Sequence, residues 1–121
     1  MTLCDEGDVV LLPDPCYPVF AAGSKLGGAV PYYYPLVAEH DFLPYVKNIP
    51  EDVARKARYM VVSLPSNPVG SIATPGLYEE IVAFAKSIEV KKPMNYVEKA
   101  VSKSIAKIIE SFNDRADMIV I

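Results

Sequence analysis

Histidine is almost missing from this chain: His40 is the only one, in a polar stretch with no second histidine near it. A metal centre built on imidazoles and a nucleophile–histidine–acid triad both need more than that. His40 is read as a solvated loop side chain. Cysteine is scarce as well. Cys4 and Cys16 form no CxxC or Cys/His cluster, so neither a disulfide framework nor a zinc site is indicated, and two reduced, partly buried thiols are expected. A basic excess is also lacking, since the formal net charge is −3. No field is available to hold a phosphate backbone or an anionic membrane, and nucleic acid and membrane partners are not expected. No apolar run approaches the ~18 residues of a membrane span, and the start, Met1 to Asp8, is acidic where a secretory signal would be basic. A cytoplasmic protein is the expectation.

What is present is apolar. The hydrophobic fraction is 51% over 121 residues, on the high side for one small domain, so some apolar surface is expected to need a partner, and a homo-oligomer is predicted. A single domain over 1–121 is the starting reading. Val9 to Leu12 is a continuous apolar run closed by Pro13-Asp14-Pro15, the pattern of a strand buried on both faces. A helix is predicted from Tyr17 to Leu26, stopped at Gly27-Gly28. Residues 29–36 are β-prone but hold two prolines that cannot donate to a ladder, which places this strand at an edge.

Pro50-Glu51-Asp52 opens a short helix to about Ala57, and Tyr59 to Leu64 is a third buried strand. Thr74 as N-cap and Pro75 at the first position start another helix, with Leu77, Ile81, Ala85 and Ile88 on one face. From Glu89 the texture becomes charged and proline-broken. A helix opening at Asn95 and a strand from Met118 to Ile121 end the chain, and the lysines Lys99, Lys103 and Lys107 read as a water-facing side. Strands alternating with helices imply an α/β fold: three layers, with a mainly parallel sheet of about four strands flanked by helices.

Two segments directly follow predicted buried strands, Pro13-Asp14-Pro15-Cys16-Tyr17-Pro18 and Ser66-Asn67-Pro68-Val69-Gly70. In an open parallel sheet that is the carboxyl edge, where ligands bind. Taken alone, Asn67 to Gly70 fits a type I turn and Tyr17 a packed aromatic with a wet hydroxyl. Together and in order they resemble the class I/II, fold-type-I aminotransferases that use pyridoxal phosphate (PLP), in which a strand ending in D-P-x-Y-P precedes one ending in N-P-x-G. The resemblance covers residues 5–86 of an aminotransferase-like segment 1–88. Gly7-Asp8-Val9-Val10, Tyr17-Pro18-Val19-Phe20 and Asn67-Pro68-Val69-Gly70-Ser71 are most similar to the LL-diaminopimelate aminotransferase branch.

The resemblance implies that Tyr17 stands where an aromatic lies against the pyridine ring and Asn67 where an amide donates to the cofactor's phenolic oxygen. It also implies that the chemistry needs three further groups: an aspartate on the pyridinium nitrogen, a lysine bonded to the cofactor, and an arginine on the substrate carboxylate. No D-E-x-Y pattern appears where the aspartate strand is expected. Asp117 precedes its strand, and Lys86, Lys91 and Lys92 lack the Ser-Lys context. No catalytic residue is therefore assigned, and Tyr17 and Asn67 are expected as vestigial cofactor positions with no cofactor held. The segment 89–121 resembles the opening helix and strand of the pyruvate kinase C-terminal domain. Both resemblances together imply a chimera of two enzymes, made by recombination or by design. The expected function is that of a small α/β protein built from enzyme fragments, without catalytic activity of its own. A PLP-binding fragment that needs another chain, and an oligomerising interaction module, are the alternatives.

Overall fold

The computed structural model describes residues 3–88 and the strand Ile119–Val120. Strand β1, Val9–Asp14, lies between β2, Val30–Pro35, and β3, Ala57–Met60, and the fourth strand β4, Ile119–Val120, pairs with β3. The order is β2-β1-β3-β4 and every pairing is parallel. The fold is α/β, as the alternation of elements implies. The expected edge strand is an edge strand, for a reason its prolines make clear. The amides of Val30 and Leu36 donate to Asp8 and Asp14, so the even positions face β1 while Pro31 and Pro35 fall on the open side, where no donor is needed.

Helix α1, Pro18–Leu26, follows β1. Tyr17 is its N-cap rather than its first residue, and Pro18 takes the first turn, where a missing amide costs nothing. The helix stops at Gly27-Gly28. Gly28 has φ +78, and a Cβ there would come within 3.2 Å of the Glu6 backbone, so this position needs glycine. Helix α2, Glu51–Ala54, ends three residues sooner than its predicted limit, because Ala57 is already in β3. Helix α3, Leu77–Ser87, begins later than its sequence signature suggests. Thr74 and Pro75 form a preceding turn in which the Thr74 carbonyl accepts the Leu77 amide at 3.2 Å, and Gly76, at φ +85, is the N-cap. The predicted face is correct: Leu77, Ile81, Ala85 and Ile88 are all buried.

Strand alternation sends side chains to two cores. Under α3 lie Leu11, Met60, Ala57 and Tyr34, together with Leu36, Leu43, Val46 and Ile49 from the long connection after β2. Against α1 lie Val10, Leu12, Tyr59 and Val61, closed by Cys4 and Ala29. Three layers result. Among the described residues no helix is long and apolar enough to cross a membrane. The helix predicted from Asn95, its lysine face and Asp117 lie outside the described residues.

Candidate functional site at the carboxyl edge

Because β1 and β3 are adjacent and parallel, the segments that follow them leave the sheet at one edge. After β1 the chain turns through a cis Asp14–Pro15 peptide and reaches Tyr17 at the start of α1. The strand itself runs through Pro13 to Asp14, beyond the stop that proline suggested. Tyr17 is 50% exposed, and its ring meets Phe20 edge to face, with centroids 6.3 Å apart. The ring is thus held on one side by Phe20 while half of the residue stays open to solvent.

After β3 the chain continues extended, with the Val61 amide donating to the Leu11 carbonyl at 2.9 Å. A loop from Ser66 to Ser71 follows. It is closed by Ser66 N–H to the Ser71 carbonyl at 2.9 Å and by Gly70 N–H to the Ser66 carbonyl. This differs from the expected type I turn: the closing bond comes from Ser66, one residue before Asn67, and the Asn67–Pro68 peptide is cis. Ser71 Oγ ties the loop to the Phe42 carbonyl at 2.9 Å, and Ser66 is buried while Asn67 is exposed. Among the described residues the Asn67 amide group has no partner, so its two N–H donors remain available.

Other polar groups lie nearby. Tyr34 is 2% exposed, and its hydroxyl donates to the Val61 carbonyl at 2.5 Å. Burial, with a smaller contribution from Cys16, keeps that phenol protonated far above the ordinary tyrosine range. Cys16 is half-buried and free, its thiol pushed up by burial and then by the Asp14 carboxylate. Cys4 is buried at the other end of β1, and burial pushes its thiol up too. Neither carries the depressed pKa of an activated nucleophile.

Lys86 is exposed in the last turn of α3, which runs back to the amino edge of the sheet, and Lys91 and Lys92 lie outside the described residues. His40 is not a free loop side chain: its ring stacks on Tyr45 at 3.9 Å. Among the described residues no group of His, Cys, Asp and Glu could hold a metal. What the edge offers is therefore a flat aromatic surface and an amide donor, brought from two strands. That suits a planar ligand with an anionic oxygen. The Asp14 carboxylate, at the end of β1, and the free Cys16 thiol, just before Tyr17, stand at the same edge.

The architecture agrees with comparisons to known proteins, and both motifs lie inside the matched range. Residues 1–90 match the model of the family described as "Aminotransferase class I and II". An LL-diaminopimelate aminotransferase from Moorella thermoacetica is 44% identical over 92 residues, covering 74% of this chain and 24% of the relative. The enzyme of that name from Halothermothrix orenii is 45% identical over 86 residues, 71% of this chain and 22% of the relative. Among solved structures, apo-BacF from Bacillus subtilis superposes with a TM-score of 0.70 at 35% identity, covering 74% of this chain and 23% of that one. A probable N-succinyldiaminopimelate aminotransferase from Thermus thermophilus gives 0.68 at 29% identity, covering 74% and 24%. This chain spans about a quarter of the length of the relatives it matches. With the strand–turn–helix order, the two edge motifs and this match over three quarters of its length, the chain belongs to the class I and II aminotransferase family.

Proposed function

We propose that this segment carries the ring-facing part of an aminotransferase cofactor site, with Tyr17 against the pyridine ring of PLP and Asn67 donating to its phenolic oxygen. The observation that carries this reading is the shared edge. Two motifs about fifty residues apart follow adjacent parallel strands, one with a half-exposed aromatic and the other with an amide group unengaged among the described residues. Those two groups fit the flat, oxygen-bearing ring. PLP, when bound, supplies the electron sink of the reaction. Tyr17 and Asn67 hold and orient a ring, and neither moves a proton.

These 121 residues by themselves are therefore proposed to bind PLP without transaminating. The lysine that does the covalent and proton-transfer work in the family has no counterpart at this edge among the described residues. A PLP titration followed by absorbance tests the reading. Tyr17→Ala and Asn67→Ala should each weaken binding about fivefold to tenfold, the size of one ring contact or one hydrogen bond to a charged oxygen. Random attachment to surface lysines would be indifferent to both. Equal uptake by wild type and the double variant rejects the site.

A second reading rests on α1. Val19 and Leu26 are exposed on it, and a groove of about 510 Å³ opens beside it between Phe20, Tyr59 and Val62. We propose self-association through this side, measured as mass by light scattering at micromolar concentration; a monomer mass there excludes it. The pyruvate-kinase-like origin of 89–121 and the joining of two enzyme pieces also stand as proposals. They rest on the change of texture at Glu89 and on the end of the family match at residue 90.

A further inference from the structure

β1 is an interior strand with a proline in it, and the parity of that proline decides which neighbour loses a bond. Asp8 and Asp14 accept amides from the β2 side, whereas the Leu11 carbonyl accepts the Val61 amide. The odd residues of β1 therefore face β3. In a parallel ladder a residue donates to one position of its neighbour and accepts from the amide two positions further on. Val61 donates to Leu11, so the donor its carbonyl should receive is the amide of residue 13. Residue 13 is proline and has no such amide.

The missing donor comes from the opposite side of β1. Tyr34 sits on β2 in register with Pro13, and its buried hydroxyl donates to the Val61 carbonyl across the width of the central strand. We propose that Tyr34 is a positioning residue for Asn67: its hydroxyl replaces the ladder bond that Pro13 removes, and so fixes the exit of the chain toward the Ser66–Ser71 loop. Val61 is the last residue past β3 with a hydrogen bond to β1, and Ser66 begins the closed loop only five positions later. Without the Tyr34 hydroxyl the carbonyl before that span is buried and unpaired, and the span loses its inner anchor. Phenylalanine would fill the same space and supply nothing. The functional part of the proposal rests on the reading of Asn67 given above; the hydrogen-bond substitution does not.

The test is a rescue. Tyr34→Phe should raise amide hydrogen exchange at Ser66 and Gly70 by about tenfold and weaken PLP binding by a similar factor, as expected for loss of one buried partner. Pro13→Ala in the Tyr34→Phe background restores an amide at position 13 and should return exchange, and with it PLP binding, toward wild type. A residue that merely packs would not be rescued by a new donor on another strand. Unchanged exchange in Tyr34→Phe, or failure of Pro13→Ala to restore it, overturns the proposal. If the wild type takes up no PLP, the cofactor reading fails and the exchange measurements alone decide the role of Tyr34. Should Tyr34→Phe not fold, the wild type still decides: a slowly exchanging Tyr34 hydroxyl proton close to Val61 in the NMR spectrum is expected, and its absence refutes the bond.

Discussion

The two faces of the sheet are covered unequally. Under α3 the apolar side chains of β1 and β3 meet a helix face, the connection after β2 and the turn before α3, and an opening of about 380 Å³ between Val46, Ile49, Phe84 and Ile88 lies at the rim. On the other face, among the described residues, α1 covers Val10, Leu12 and Ala29 but leaves an open groove beside Tyr59 and Val61, with Val19 and Leu26 exposed. Both faces descend from strands of the same interior type. The difference lies in what the intervening chain supplies: the long β2-to-β3 connection folds back as a cover, and the nine-residue helix after β1 does not reach as far. Most of the stability should therefore reside on the α3 face, and the α1 face should tolerate change.

The largest effect expected from this asymmetry is at Ile81, 1% exposed at the centre of the α3 face. Ile81→Ala removes buried methylenes and leaves a cavity that its buried neighbours fill only in part, costing about 2–5 kcal/mol. Urea unfolding followed by circular dichroism should show the midpoint fall with little change in slope. A loss under about 1 kcal/mol would mean that the α3 face is as loose as the other, and the comparison would collapse.

Next in size is a polar pair on the α1 face. Ser24 Oγ donates to the Phe20 carbonyl at 2.7 Å and lies 3.1 Å from the Tyr59 hydroxyl, so Ser24 holds both its own helix and the tyrosine below it. Ser24→Ala should cost about 1 kcal/mol, since it leaves the Tyr59 hydroxyl short of a partner while gaining a little helix propensity. Adding Tyr59→Phe should recover part of that loss, as one shared bond requires in a double-mutant cycle. Strict additivity would show that the groove already admits water to Tyr59.

Alkaline pH tests both faces at once. Burial keeps Cys4, on the α1 face, and Tyr34, on the α3 face, protonated to higher pH than in the unfolded chain. Above pH ~9 for the thiol and ~10 for the phenol the folded state then holds more protons than the unfolded state. Stability is fully present below those values and is lost as pH rises through the folded ones. Chemical denaturation between pH 8 and pH 11 should show a decline that starts near 9 and is shallower in Cys4→Ala. An identical profile in that variant would mean the thiol is not desolvated.

How far this was legible in the sequence depends on whether a signal was local. The Val9 to Leu12 run, the Gly27-Gly28 stop and the Leu77/Ile81/Ala85/Ile88 face are local patterns, and each stands in the structure, whereas the strand expected over Tyr59 to Leu64 runs earlier, as Ala57–Met60, with Val62 to Leu64 half-buried beyond it. The segments 13–18 and 66–70 stand out because each follows a strand, and topology puts two such segments at one edge, but the choice of Tyr17 and Asn67 within them comes from the resemblance to the aminotransferase motifs. What could not be seen was parity and partnership. Pro13 looked like a strand stop because the hydroxyl that makes a proline tolerable there lies 21 positions away on β2. Thr74-Pro75 carried a helix-start signature, yet the Gly76 backbone begins the helix. A proline inside an apolar run that must continue could have prompted a search for a substitute donor, and Tyr34 is the one buried tyrosine in the Tyr32-Tyr33-Tyr34 run of the neighbouring strand.

The smallest expected effect lies at Leu26, and its smallness is the point. Leu26 ends α1, is 88% exposed, and is the most exposed large apolar side chain among the described residues. A fully buried leucine contributes roughly 1.5–3 kcal/mol, but one in water contributes almost none of that. Leu26→Gln keeps length and helix propensity, so unfolding stability in dilute solution should stay within about 0.5 kcal/mol. If α1 is the face through which copies associate, the same substitution becomes visible only as concentration rises. The wild-type midpoint would then climb with protein concentration and that of Leu26→Gln would climb less. Midpoints that ignore concentration in both proteins leave α1 as a bare surface and remove self-association through it; a large loss in Leu26→Gln at every concentration would instead show that the α1 face is packed after all.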